Sequence, residues 1–215
     1  MGKRQLSVLI AFSLLLAVPE LRAGLIYDNG LPNAANGNEM TQWIQAEDFT
    51  LGAAATVVGV RFWAIGYADP GGYQGSIAWR IYGDSGGDPG SILASGTVVP
   101  SRVYSHATSF GSSYQYDFSV GAVSLGPATY WLGLHNGPLS TTNRLDFYWE
   151  TTAGNATQGG HEDGAPFDTG GWYDNGKEHA FQLYDGGAAI PEPATSLLLG
   201  AGLMGLVALL RRRMA

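Results

Sequence analysis

Short runs of alternating apolar and polar residues are the feature that most restricts the fold of this 215-residue chain. Alternation puts successive side chains on opposite faces of a strand, whereas a helix needs apolar residues three or four positions apart. No 12-residue stretch between residues 24 and 190 has helical periodicity. Eight runs alternate, with room for a ninth at 25–27; the eight are 45–51, 56–65, 76–82, 92–99, 114–120, 128–135, 145–151 and 179–184.

Strands that follow one another without intervening helices favour antiparallel pairing. We therefore expect an all-β domain in residues 24–190, an antiparallel β-sandwich or jelly roll of about eight strands. The Gly/Asn-rich stretch 152–175 predicts a long loop, with room for a short strand at Trp172 and Tyr173. The predicted core faces are Val58/Val60/Phe62, Ile77/Trp79/Ile81, Tyr114/Tyr116/Phe118/Val120, Tyr130/Leu132/Leu134 and Leu145/Phe147/Trp149.

Composition excludes several functions. The chain has no cysteine, which excludes disulfides, thiolate metal sites and cysteine nucleophiles. Residues 24–190 carry five basic and 16 acidic residues, a net charge of −11. A nucleic-acid partner needs a basic patch, so none is expected. Anionic polymers should be repelled unless a cation bridges them.

The N-terminus predicts a secretory signal peptide over residues 1–23. Lys3 and Arg4 precede a 13-residue apolar run, 6–18, that is too short to cross a bilayer as a stable helix. Pro19 ends the run, and cleavage is expected after Ala23. The protein is thus predicted to enter the secretion machinery.

The C-terminus, residues 191–215, has three parts in order. Pro191, Glu192 and Pro193 form an extended, helix-incompatible segment. Residues 194–210 are apolar and predict a transmembrane helix of about 25 Å, the lower limit for a span. The basic cluster that ends it should stay cytoplasmic, so the body would face outward from the inner membrane; the cluster is Arg211, Arg212 and Arg213.

This tail closely resembles the PEP-CTERM sorting signal of Gram-negative bacteria that make extracellular polysaccharide. The resemblance implies processing by exosortase near Pro191–Pro193, after anchoring in the inner membrane, and a final place at the cell surface or in the extracellular matrix. A plain C-terminal membrane anchor is the alternative. A second resemblance lies in Ile81–Gly96, which is similar to a hairpin of secreted bacterial β-sandwich modules and implies fold alone.

Turn carboxylates offer one candidate metal site. Asp84 and Asp88 flank a glycine turn whose carbonyl oxygens could complete the six to eight oxygens that calcium takes. The alternative is that these residues form the turn by accepting backbone N–H bonds. No other cofactor is expected.

Aromatic side chains on the predicted outer strand faces suggest a glycan platform. Trp63, Tyr82, Trp131 and Tyr148 lie there, with Tyr184, among polar residues that could bond sugar hydroxyls. These faces should be wet, and their charged and polar members are Arg61, Arg80, Asp117, His135, Asp146 and Glu150. The alternatives are that cross-strand aromatic pairs only stabilise the sheets, or that 152–175 covers this face.

The leading hypothesis is an exported, non-catalytic interaction module that binds extracellular polysaccharide or builds matrix. A jelly-roll enzyme acting on polysaccharide is the first alternative, with Asp146 or Glu150 opposed by a carboxylate on another strand. A purely structural surface protein is the second. Its mark would be outer aromatics hidden beneath a loop.

Overall fold

The computed structural model describes residues 24–66, 72–153 and 159–186. Within them, the alternating runs of the sequence form β-strands. These residues form two antiparallel sheets and no helix. The strands are β1 Leu25–Asp28, β2 Pro32–Glu39, β3 Trp43–Thr50, β4 Ala55–Gly66, β5 Ile77–Asp84, β6 Pro89–Val98, β7 Ser101–Thr108, β8 Gly111–Leu125, β9 Thr129–Asn136, β10 Phe147–Thr152, β11 His161–Gly164, β12 Tyr173–Asp174 and β13 Phe181–Asp185.

The seven-stranded sheet is organised around β4, which pairs with three strands. One edge of β4 pairs with β8 along its length, and β7 extends the sheet beyond β8. The other edge pairs first with β13, opposite Val57–Phe62, and then with β10, opposite Ala64–Gly66. β1 adds to β13 and β2 adds to β10, so the sheet branches at β4.

The six-stranded sheet has the order β12-β11-β3-β9-β5-β6. β6 therefore ends this sheet, and β7 ends the other. Only Val99 and Pro100 separate the two strands in the chain. The two edges consequently lie on one side of the sandwich, which we call the open edge.

Aromatic rings fill the space between the sheets. Phe62 is fully buried and stacks on Tyr116 with ring centroids 5.0 Å apart. Its ring also meets Phe118 and Trp149 edge-on at 6.2 Å. The six-stranded sheet faces them with Phe49, Trp79, Ile81, Leu132 and Leu134.

A buried polar bond also joins the sheets. Glu47 on β3 accepts hydrogen bonds from the backbone N and the Nδ1 of His179, both at 2.7 Å. Burial lowers the pKa of His179 to about 3, so its ring is neutral near pH 7. Burial and the nearby carboxylate of Glu178 raise the pKa of Glu47 well above its ordinary value.

The all-β sandwich expectation is confirmed, although the described residues contain 13 strands rather than about eight. Each of the eight alternating runs overlaps a strand, and 25–27 falls in β1. The hairpin at Ile81–Gly96 is also confirmed, since β5 and β6 pair across a turn in which Gly86 and Gly87 have positive φ.

Three strands, β2, β7 and β11, lacked a clear sequence signal. β2 is rich in asparagine and glycine and is a strand because it pairs with β10. β7 was not predicted. The expected loop 152–175 is wrong in part, because β11 falls within it and pairs with β3. The short strand expected near Trp172 and Tyr173 corresponds to β12, which pairs with β11.

The predicted core face of β4 is wrong at its first residue. Opposite β13, β4 has one extra residue between Val57 and Gly59, which puts Val57, rather than Val58, in the core together with Val60. An extra residue in one strand reverses the alternation at that point, which a simple period of two does not anticipate. Leu145 and Tyr114 are likewise only partly buried.

No helix in the described parts of the chain is long and apolar enough to cross a membrane. The expected signal helix in 1–23 and the transmembrane helix at 194–210 lie outside the described residues. The domain limits at 23 and 190 stay predictions.

Replacing Phe62 with alanine should lower the free energy of unfolding by about 3–5 kcal/mol, because it removes a ring from a filled core. Val99→Ala is the matched control, since Val99 is 75% exposed and should change stability little. Urea denaturation of both variants measures the effect. Equal losses in the two would contradict the assigned core.

Candidate functional site

The outer face of the six-stranded sheet lies beneath a segment of the chain itself. Residues 165–172, here called the cover segment, follow β11 and pass over β9 and β5. Phe167 meets the ring of His135 at 5.1 Å, and Trp172 meets Tyr82 edge-on at 5.4 Å. Ala46, Tyr82 and Trp131 form a small buried cluster there, separate from the main core.

Asp168 fixes the cover segment to the sheet. Its Oδ2 lies 2.8 Å from the guanidinium of Arg80, and its Oδ1 accepts the Tyr82 hydroxyl at 2.7 Å. Burial, with the hydrogen bond to Asp168, raises the pKa of Tyr82. Asp163 in turn accepts the backbone N–H of Asp168 at 2.6 Å.

The predicted glycan platform is wrong in its exposure. Trp63, Tyr82 and Trp131 are buried, so their rings have no open face for a sugar. The alternation placed Tyr82 and Trp131 correctly on the outer face, but the cover segment removes that face from water. Arg80 and His135, also expected to be wet, are buried beneath the same segment.

Trp63 is also buried, but it lies at one end of the seven-stranded sheet rather than beneath the cover segment. Glu150, on the same outer face, is fully buried and bonds to His106 Nε2 at 2.9 Å and to Ser113 Oγ at 2.5 Å. It also accepts the backbone N–H of Ala34 at 3.1 Å. β2 and β7 therefore approach each other over this end of the sheet, and the expectation that Glu150 is wet is wrong.

Tyr148 is the one member of the predicted platform that stays partly exposed. Its hydroxyl donates to Asp146 at 2.6 Å and accepts from Arg144 at 2.5 Å. The guanidinium also lies over the ring, 5.5 Å from its centroid. Arg144 thus occupies a face on which a sugar would stack.

The outer face nearer β13 is only partly wet. Asp117 pairs with Arg61 at 2.6 Å, and Arg61 lies over the half-buried ring of Tyr184. Asp117 is largely buried, so its expected exposure is wrong too. Asp146 is exposed, as expected.

The two carboxylates proposed for calcium bond to different protein groups. Asp84 accepts Trp131 Nε1 at 3.0 Å and the backbone N–H of Gly87 at 3.3 Å. Asp88 lies 3.0 Å from His161 Nε2. The bond to Gly87 is what the turn-forming alternative describes, and calcium at this pair stays a prediction.

The open edge presents exposed apolar and aromatic side chains. β6 and β7 pair on one side only. Their exposed large side chains, with those of the adjoining turns, are Ile92, Leu93, Val99, Val103, Tyr104 and Phe110. No sequence argument had selected them.

A tyrosine–arginine cluster lies along the open edge. The ring of Tyr104, 56% exposed, meets that of Tyr114 edge-on at 5.8 Å. The guanidinium of Arg102 lies 4.5 Å from the Tyr114 centroid and 5.9 Å from that of Tyr73. Cation–π contacts of this kind hold an arginine in place without removing its charge.

The charges differ sharply between the open edge and the opposite side of the sandwich. β6 and β7 contain no Asp or Glu, and they carry Arg102. The opposite side, at β11 and β12, carries Glu162, Asp163 and Asp174. This asymmetry was visible in the sequence, where residues 89–116 lack a carboxylate, but only the fold shows that they share one side.

Comparison with protein families matches residues 189–213 to the PEP-CTERM protein-sorting motif. The chain thus carries a PEP-CTERM sorting motif at its C-terminus, as its tail predicted. The motif supports an exported protein that is anchored at the membrane before exosortase processes it. No curated protein matches the chain. The matched residues lie outside those that the structure describes.

Asp168→Gly tests the cover segment. Asp168 has a φ of 61°, which glycine adopts without strain, so the variant removes only the carboxylate. The free energy of unfolding of Asp168→Gly should be about 1–3 kcal/mol lower than that of the wild type. Acrylamide should also quench tryptophan fluorescence more strongly, because Trp131 and Trp172 become accessible.

Asp146→Gly is the matched control, since Asp146 has a φ of 55° and an exposed ion pair with Arg144. Exposed pairs of this kind add little stability, so both readouts should stay near wild type. Unchanged quenching in Asp168→Gly would contradict the role assigned to Asp168.

Proposed function

We propose that the body is a non-catalytic module that binds polysaccharide at the cell surface or in the extracellular matrix, through its open edge. The exposed ring of Tyr104 beside the stacked Arg102 is the observation that carries this proposal. A sugar ring stacks on an aromatic face, and a guanidinium donates hydrogen bonds to hydroxyl or carboxylate oxygens.

Charge supports the same surface. The body as a whole is acidic, so an anionic polymer is repelled from most of it. β6 and β7 lack carboxylates, and a polymer approaching there meets Arg102 instead. The β-sheet backbone holds Tyr104 and Arg102 in place before binding, which limits the entropy lost on association.

A polysaccharide-active enzyme has less support. Of the carboxylates considered for catalysis, Asp146 is exposed and bonded to Arg144, whereas Glu150 is fully buried and bonded to His106 and Ser113. A glycosidase needs two carboxyl groups that reach one bond from opposite sides. Glu150 contacts β7 through His106 but is fully buried, so its carboxylate cannot reach a polymer at the open edge.

A purely structural surface protein is the second candidate. The burial of Tyr82 and Trp131 beneath the cover segment favours it, because large aromatic side chains there stabilise the fold rather than contact a ligand. In this case the open edge would bind no polymer.

Tyr104→Ala should weaken binding to matrix polysaccharide from the source organism about tenfold, near 1.4 kcal/mol, because a central tyrosine carries much of a small interface. Arg102→Gln should weaken it as well and reduce its dependence on salt. The full chain, purified in detergent, is titrated against the immobilised polymer.

Tyr173→Ala is the matched control, an equally exposed tyrosine at the opposite edge of the six-stranded sheet, and its binding should equal that of the wild type. No saturable binding by the wild type would reject this function in favour of the structural one. Equal losses in Tyr104→Ala and Tyr173→Ala would place the interaction elsewhere.

A further inference from the structure

Three carboxylates meet where the two sheets approach each other. Glu47 and Asp48 are consecutive on β3, and Glu178 lies just before β13. One oxygen from each residue lies within 4.8 Å of the other two. Glu47 and Asp48 are 0% and 1% exposed. Like charges this close repel strongly away from water, so the group requires a positive partner.

Only one of the two carboxylate oxygens of Glu47 accepts hydrogen bonds from the described residues. Its Oε2 accepts both bonds from His179, whereas its Oε1 is buried with no hydrogen-bond partner among the described residues. Glu178 repeats this pattern. Its Oε2 accepts Asn29 Nδ2 at 3.3 Å, and its Oε1 is buried without a described partner.

Buried carboxylate oxygens without donors are costly, and most native proteins avoid them. The unpartnered oxygens belong to Glu47 and Glu178, two members of the same carboxylate cluster. A single cation bound in that cluster would therefore satisfy both residues. A proton shared between the carboxylates is the competing explanation, which the experiment must separate.

Spacing and donor type select the cation. All three ligands are oxygens, which favours hard cations over zinc. The three oxygens lie within 4.8 Å of one another, which one calcium ion with ligands at about 2.3–2.6 Å can reach. Calcium also tolerates irregular geometry, whereas magnesium demands a near-ideal octahedron with shorter bonds.

We propose that Glu47, Asp48 and Glu178 bind a calcium ion that links the two sheets. The ligands come from β3 in one sheet and from the residue leading into β13 in the other, so the ion fastens the sheets beside the Glu47–His179 bond. Extracellular modules bind calcium with dissociation constants of about 10⁻⁴–10⁻³ M, which suits an exported protein.

Calorimetry of the full chain in detergent, stripped with a chelator, tests the proposal. Adding calcium at about 100 times its dissociation constant should raise the melting temperature by about 5 °C or more. Magnesium should raise it less. Terbium luminescence, excited through nearby aromatic side chains and displaced by calcium, reports binding independently of stability.

Glu178→Gln should abolish the calcium-dependent shift and the terbium signal, while its amide oxygen can still accept the bond from Asn29. Glu47→Gln should do the same. Asp174→Asn is the matched control and should keep both, because Asp174 is an exposed carboxylate on β12 that accepts the backbone N–H of Gly176.

A wild-type chain that neither melts later with calcium nor binds terbium would overturn the proposal. A shift that survives in Glu178→Gln, or one lost in Asp174→Asn, would overturn it as well. If Glu47→Gln alone stabilised the protein and calcium did nothing, a shared proton would be the partner of these carboxylates. None of these outcomes depends on polysaccharide binding.

Discussion

The carboxylate of Asp168 holds the cover segment against the six-stranded sheet, and the accessible surface of the domain depends on this contact. By bonding to Arg80 and Tyr82 it keeps Trp172 and Phe167 over rings that would otherwise face water. The chain has no disulfides, so burial of aromatic side chains must supply much of its stability. The second small core beneath the cover segment adds to that burial.

With that face closed, most of the large apolar and aromatic side chains that meet water in the described residues lie on the side formed by β6 and β7. Unpaired strand edges invite association, and natural proteins often protect them with charge. Here the edge carries no carboxylate, although the rest of the body is strongly acidic. This edge is the surface through which we propose that the exported protein binds polymer outside the cell.

The sequence predicted strands well because alternation is a local property that survives into the fold. It predicted exposure poorly, since Tyr82 and Trp131 are covered by residues that lie far along the chain in a glycine-rich stretch. Glu47, Asp48 and Glu178 were missed for the same reason, because only the approach of β3 to the start of β13 brings them together. The tail was recognisable because its motif is contiguous.

Hydroxyl-radical footprinting of the full chain, with and without matrix polysaccharide, tests the central claim that the open edge is the binding surface. The account predicts that the polymer protects Tyr104 and Phe110 from oxidation and leaves Tyr173 and Trp172 unchanged. Protection centred on Tyr173 and Trp172, with Tyr104 still reactive, would contradict it.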